Sequence, residues 1–158
     1  MMFFKDNPVD KKKISLIIRK GKAYIPTLAK TEWGVYMTME PVYTVDLDDN
    51  ALINSIKQLL KSGNTQVSNP SKEDLNHQPD PVLKAAKVNS WKKLSVGGAT
   101  YTISQQPEGF TLEFYKKDEK GRFITDTSKT REFPPETNLR EIVRIVLEDI
   151  YSHPELLS

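Results

Sequence analysis

The order of apolar strands and helices in the first third of this chain recurs in its last third. Short strand-like segments fill residues 14–47 and are followed by an apolar helix, Leu52–Leu60. Residues 94–133 repeat such a series, and a second apolar helix, Leu139–Ile150, follows it. A few strands with one helix cannot bury both faces of their sheet, so two copies are expected to pack together. The pattern therefore predicts an α+β fold built from two repeated antiparallel β-meander-plus-helix units.

Two short strings add detail to this repeat. Gly21-Lys22-Ala23-Tyr24 and Gly98-Ala99-Thr100-Tyr101 are alike, and we expect them to open corresponding strands. Alternation from Trp33 onwards predicts a further strand that ends at Pro41, with Trp33 in the core. The repeat units span roughly residues 14–62 and 94–151. A polar linker at 63–81 joins them within a single domain of 1–158.

The composition lacks the marks of a secreted or membrane protein. The chain has no cysteine, which removes disulfides and thiolate metal sites. No apolar stretch is long enough to cross a bilayer. The basic arm at residues 1–12 has no secretory-signal pattern. We therefore expect a cytoplasmic protein without a membrane partner.

Residue types that support catalysis are few and scattered. His77 falls in the linker and His153 in the C-terminal tail, each without a second ligand at metal-binding spacing. The acidic pairs Asp48-Asp49 and Glu148-Asp149 lie at helix ends, where neighbouring side chains point in different directions. No glycine-rich phosphate loop or nucleophile elbow is present. We therefore expect no enzyme activity, no metal site and no cofactor.

The basic turn after the first strand suggests one alternative function. Residues 1–30 hold eight Lys or Arg against two Asp. Single-strand binders combine cations with aromatic stacking residues, and the residues for such a site are Arg19, Lys20, Lys22 and Tyr24. The Lys-Gly-Lys-Ala string also resembles the Whirly family of single-stranded DNA-binding proteins, which are built from two repeated four-stranded sheets. The acids in the rest of the chain argue against a broad phosphate-binding face.

A longer segment carries a stronger resemblance. Residues 81–94 read Pro-Val-Leu-Lys-Ala-Ala-Lys-Val-Asn-Ser-Trp-Lys-Lys-Leu, a short helix that leads through Ser90-Trp91 towards a strand. This stretch resembles immunity proteins of bacterial contact-dependent growth inhibition systems. The order of helix, linker, meander and final helix extends the resemblance over residues 40–150, although the final helix carries charged residues where more alanines are expected. Within this segment we expect Trp91 to anchor the helix on the sheet and Ser90 to cap or turn the chain.

The resemblance implies a protein that binds and neutralises the C-terminal toxin domain of such a system. Many of these toxins are nucleases, whose basic substrate clefts suit an acidic inhibitor surface. The toxin domain is thus the expected partner, and free strand edges could also pair two copies of the chain. The candidate toxin-binding residues are the acids of both halves: Glu32, Glu40, Asp46, Asp48, Glu113, Asp118, Glu119 and Asp126.

Overall fold

The computed structural model describes residues 11–71 and 80–158, which form an α+β fold. The strands are β1 (Lys12–Arg19), β2 (Lys22–Thr31), β3 (Tyr36–Asp46), β4 (Thr65–Val67), β5 (Gly98–Gln106), β6 (Gly109–Lys117), β7 (Phe123–Thr125) and β8 (Arg131–Phe133). The α-helices of the described ranges are α1 (Asp49–Ser62), α2 (Pro81–Ala86), α3 (Trp91–Ser95) and α4 (Leu139–Tyr151). The predicted fold class is confirmed. Residues 1–10 of the basic arm and His77 lie outside the described residues.

One sheet contains all eight strands, in the order β3-β2-β1-β5-β6-β7. The short strand β4 pairs in parallel with β2, and β8 pairs with β6 beside the start of that strand. The two halves of the chain are joined by antiparallel pairing of β1 with β5, from Lys12 opposite Gln105 to Arg19 opposite Gly98. The meanders are therefore fused edge to edge.

The two similar strings occupy neighbouring positions on either side of β1. Ile18 pairs with Ala23 of β2 on one side and with Ala99 of β5 on the other. Since β2 is the second strand of its half and β5 the first strand of the other, the strings do not open corresponding strands, and that expectation is wrong. The two strings thus flank the same strand, β1, from opposite sides.

The two long helices pack on one face of the sheet. Ile14, Leu16 and Ile18 alternate along β1 and point into the same buried cluster as the apolar stripes of α1 and α4. The side chain of Asp48 caps α1 by accepting a hydrogen bond from the backbone N–H of Ala51 at 3.0 Å. Gly63 follows the last turn of this helix at φ 72°, as expected for a glycine that ends a helix.

The short helices α2 and α3 cover the opposite face. Ile17 of β1 packs there with Val82 and Leu94. Trp91 is half-buried against this second cluster, which confirms its predicted role as an anchor. Ser90 accepts a hydrogen bond from the backbone N–H of Lys93 at 3.1 Å and so caps α3.

The edge strand β3 differs from its predicted extent. It begins at Tyr36 and continues through Pro41, with a bulge at Glu40 and Pro41 that lets the ladder resume without the missing proline N–H. Trp33 lies in the preceding turn and is 48% exposed, so its predicted core position is wrong. Because Trp33 precedes the first paired residue of the strand, the alternation that begins with it did not mark a buried face.

The polar linker is partly structured. Its residues Thr65–Val67 form β4 beside the far end of β2, where β1 and β2 have separated. Asn64 fills the gap between those strands. Its side chain accepts from the backbone N–H of Lys13 at 2.8 Å and donates to the carbonyls of Lys13 at 2.9 Å and Leu28 at 3.2 Å.

Candidate partner-binding groove

The eight candidate acids lie in several separate places. Glu40 and Asp46 are on the edge strand β3, whereas Asp118 and Glu119 are in the β6–β7 hairpin at the opposite edge of the sheet. Strands are spaced by about 4.8 Å, so five spacings place these two edges roughly 24 Å apart. The structure therefore does not gather the predicted acids into one surface.

Most of these acids are bound to neighbours within the chain. Asp46 forms an ion pair with Lys22, and Glu40 lies 3.7 Å from the ammonium of Lys84. The remaining contacts, apart from the cap by Asp48, are Glu32 with the backbone N–H of Asn69, Glu113 with the hydroxyl of Thr102, Asp118 with Arg122, and Asp126 with Ser128. A carboxylate that already accepts such bonds has less to offer a partner.

Two of the acids have lowered pKa values because of these contacts. The backbone N–H of Arg122 donates to Asp118 at 2.9 Å, and its guanidinium Nε donates at 2.7 Å, which lowers the pKa of that carboxyl. The hydroxyl of Ser128 similarly lowers the pKa of Asp126. Both acids shape their own loops, and Glu119 is an exposed acid between them in sequence.

The four residues of the alternative nucleic-acid site are also partly occupied. Lys20 and Gly21, at φ 50° and 73°, form the tight turn between β1 and β2. Lys22 is paired with Asp46, and Tyr24 is half-buried against the cluster under α2 and α3. Arg19 keeps a buried Nε without a hydrogen-bond partner. The turn thus presents Lys20 to solvent without a free aromatic ring beside it.

An open groove of about 560 Å³ lies where the β3–α1 junction meets the last turns of α4. Leu47 and Leu147 supply its apolar surface. Tyr151, the last residue of α4, is 53% exposed within the groove, and its hydroxyl donates to the carbonyl oxygen of Leu47 at 2.9 Å. This hydrogen bond ties the end of α4 to the start of α1 and holds the aromatic side chain in place.

The rim of this groove is mainly acidic. Asp48 and Asp49 come from the start of α1, and Glu148 comes from the end of α4. Arg144 is the one cation of the lining, and Arg140 lies further along α4, 3.9 Å from Asp49. Asp48 is therefore the one sequence-predicted acid that lines the groove.

A smaller cleft of about 210 Å³ lies on the other side of the end of α4. Within it the hydroxyl of Tyr101 donates to Asp149 at 2.5 Å, and burial together with this bond raises the pKa of Tyr101. His153 lines the same cleft, and its ring Nδ1 lies 2.8 Å from the carbonyl oxygen of Asp149. Lysines and an acid complete the charged lining: Lys116, Lys117, Lys129 and Glu155. With both signs of charge present, the cleft favours neither a cation nor an anion.

Tyr151 was not singled out from the sequence, and Glu148 was considered there only as a catalytic acid and not as a binding residue. Both belong to the polar side of an amphipathic helix, where an exposed aromatic residue is the only available signal. Within residues 11–71 and 80–158, no cluster of three or more His, Asp or Glu side chains could hold a metal ion. No helix in those ranges is long and apolar enough to cross a membrane.

This chain resembles known proteins in its structure and not in its sequence. No protein-family profile and no curated protein sequence matches this chain. A protein of unknown function from Neisseria meningitidis has a similar structure, with a TM-score of 0.63 and 12% identity over 93% of this chain and 96% of that one. A chain of the CdiA-CT/CdiI toxin and immunity complex from Yersinia pseudotuberculosis gives a TM-score of 0.65 and 10% identity, over 91% of this chain and 97% of that one. At such identity the likeness is one of fold.

Proposed function

We propose that this chain is an immunity protein that binds and neutralises the toxin domain of a contact-dependent growth inhibition system. The observation that carries the proposal is the likeness to a chain of a toxin and immunity complex over 91% of this chain. The segment at residues 81–94, which resembles such immunity proteins in sequence, adds support from the chain itself. It forms α2 and α3 and buries Val82 and Leu94 against the sheet.

Neutralisation by binding requires no chemistry from this chain. An inhibitor of this kind occupies the surface that the toxin uses on its substrate, and it acts with one chain per toxin molecule. The proposed place of action is the cytoplasm, where a nuclease toxin would meet nucleic acid. A basic toxin surface would be complementary to acids such as those at the rim of the groove.

The test is a titration of purified chain against the purified toxin domain that is encoded directly upstream of it. We expect a stoichiometric complex, and toxin activity that falls linearly to zero at one equivalent of chain. Cells that express the toxin domain should survive when this chain is co-expressed. Absence of a complex would contradict the proposal, and complete inhibition at a small fraction of one equivalent would indicate catalysis instead of binding.

The nucleic-acid alternative has its own measurement. Fluorescence anisotropy with a labelled single-stranded oligonucleotide should show no binding at physiological salt. If the chain does bind, its affinity should fall steeply with added salt, and replacement of Arg19, Lys20 and Lys22 by alanine should abolish it. That outcome would favour the single-strand binder over the immunity protein.

A further inference from the structure

We infer that the groove between the β3–α1 junction and the end of α4 receives an arginine-bearing cationic segment of the toxin domain, with Tyr151 as its aromatic anchor. The inference rests on the proposed function and adds which surface binds and what kind of group it binds. It assigns binding to the groove and not to the hairpin acids Asp118 and Glu119, which lie at the edge of the sheet opposite β3.

Tyr151 has the properties of an interface anchor before any partner arrives. It is a large side chain that is 53% exposed, beside Leu47 and the buried Leu147 in the groove. Because its hydroxyl is held by the carbonyl of Leu47 at 2.9 Å, binding would cost it little rotamer freedom. Tyrosine is one of the residue types enriched among those that dominate binding energy.

The charges around the ring of Tyr151 favour a cationic ligand. Glu148 is exposed and forms no ion pair with any other described residue. It lies in the last turn of α4, where the helix dipole is negative, and that turn contains no basic residue. Asp48 and Asp49 face it from α1, although the positive end of that helix offsets part of their charge. Arg140 lies 3.9 Å from Asp49, and Arg144 is a second cation at the groove, so the three acids exceed the two arginines by one negative charge.

A guanidinium fits this combination better than an ammonium. Arginine can stack on an aromatic ring, here that of Tyr151. At the same time it can donate paired hydrogen bonds to a carboxylate, here that of Glu148. A nuclease toxin is rich in cations at its substrate cleft, so such a segment would come from the surface that must be blocked. The groove would then place the body of the immunity protein over that cleft.

The experiment measures the affinity of four variants for the inactivated toxin domain encoded directly upstream. Tyr151→Ala should weaken binding at least about 30-fold, as for a central aromatic anchor. Glu148→Gln should weaken it about 5-fold, mostly at low salt. The matched controls are Trp33→Ala, an aromatic side chain of similar exposure at the far end of β3, and Glu108→Gln, an exposed acid in the β5–β6 turn. Both controls should bind like the wild type.

The outcomes distinguish a failure of the proposed function from a failure of the proposed groove. If the wild type does not bind the toxin domain, the proposed function fails and the groove fails with it. If the wild type binds and all four variants bind equally, or the Trp33 variant is the weak one, only the groove is wrong. A fifth variant, Tyr151→Phe, keeps the ring and should bind within about 3-fold of the wild type. Circular dichroism would show that each variant is folded.

Discussion

The hydroxyl of Tyr101 on β5 donates a hydrogen bond of 2.5 Å to Oδ2 of Asp149 on α4, which links the middle of the sheet to the C-terminal helix. The ring of Tyr101 is only 2% exposed and makes an edge-to-face contact with Phe114 of β6, with 5.6 Å between the ring centroids. The bond therefore satisfies a buried hydroxyl at a position that packing already fixes.

Replacement of Tyr101 by phenylalanine should destabilise the protein by about 1–2 kcal/mol. The ring packing is kept, but the half-buried carboxylate of Asp149 loses its donor. Urea denaturation followed by circular dichroism would measure the change. The matched control is Tyr43→Phe on the exposed edge strand, which should change the free energy of unfolding by less than about 0.5 kcal/mol. Equal effects of the two variants would contradict the prediction.

The raised pKa of Tyr101 predicts a loss of stability in alkali. The tyrosine of an unfolded chain ionises at about pH 10, whereas Tyr101 in the folded protein keeps its proton to higher pH. The contribution of Tyr101 is thus complete below about pH 10 and decreases above it by up to about 1.4 kcal/mol per pH unit. The difference in unfolding free energy between wild type and Tyr101→Phe should therefore shrink above about pH 10. A difference independent of pH would show that the hydroxyl titrates normally.

Asn64 should be a costly residue to lose despite its place in a polar linker. Its side chain satisfies backbone groups of Lys13 and Leu28 where β1 and β2 have separated. Asn64→Ala leaves these groups unpaired, and we expect a loss of about 2 kcal/mol in urea denaturation. Asn54→Ala, on the exposed side of α1, should stay within about 0.5 kcal/mol of the wild type. A neutral Asn64→Ala would mean that water replaces the amide.

Gly109 should tolerate no side chain. It begins β6 at φ 140°, and a Cβ atom there would lie 1.9 Å from the carbonyl oxygen of Phe133. Gly109→Ala must push β8 away from β6 and should cost at least about 3 kcal/mol. Gly34→Ala is the control, because Gly34 also has a positive φ but no atom within 4 Å of the added Cβ. That variant should cost only about 1 kcal/mol, measured by thermal unfolding.

Helical periodicity was the most reliable guide to the fold. The stripes of α1 and α4 were predictable because each helix buries one face against a single core, and the caps at Asp48 and Asn138 mark their starts. Strand β4 and helix α3 were not predictable. Each is short and is stabilised by neighbours distant in sequence, such as Ala29 of β2 for Thr65. Local propensity carries no information about such neighbours.

The candidate groove was harder to predict from the sequence than the fold. Asp48 was selected because acids are visible along a chain, but the partners that occupy the other acids come from other strands, as Lys22 does for Asp46. Tyr151 becomes noteworthy only when the end of α4 is seen beside Leu47, more than a hundred residues earlier in the chain. Pairings of this kind depend on topology, which the repeat pattern indicated only in outline.

The central place of β1 affects how the molecule can be made. This strand is synthesised before β5, so one of its two edges has no partner until β5 has been made. During that interval the nascent chain exposes the edge of an apolar strand, Ile14–Ile18, which is open to mispairing with other chains. Synthesis of β5, rather than folding of the first half, is thus the event that covers this edge of β1.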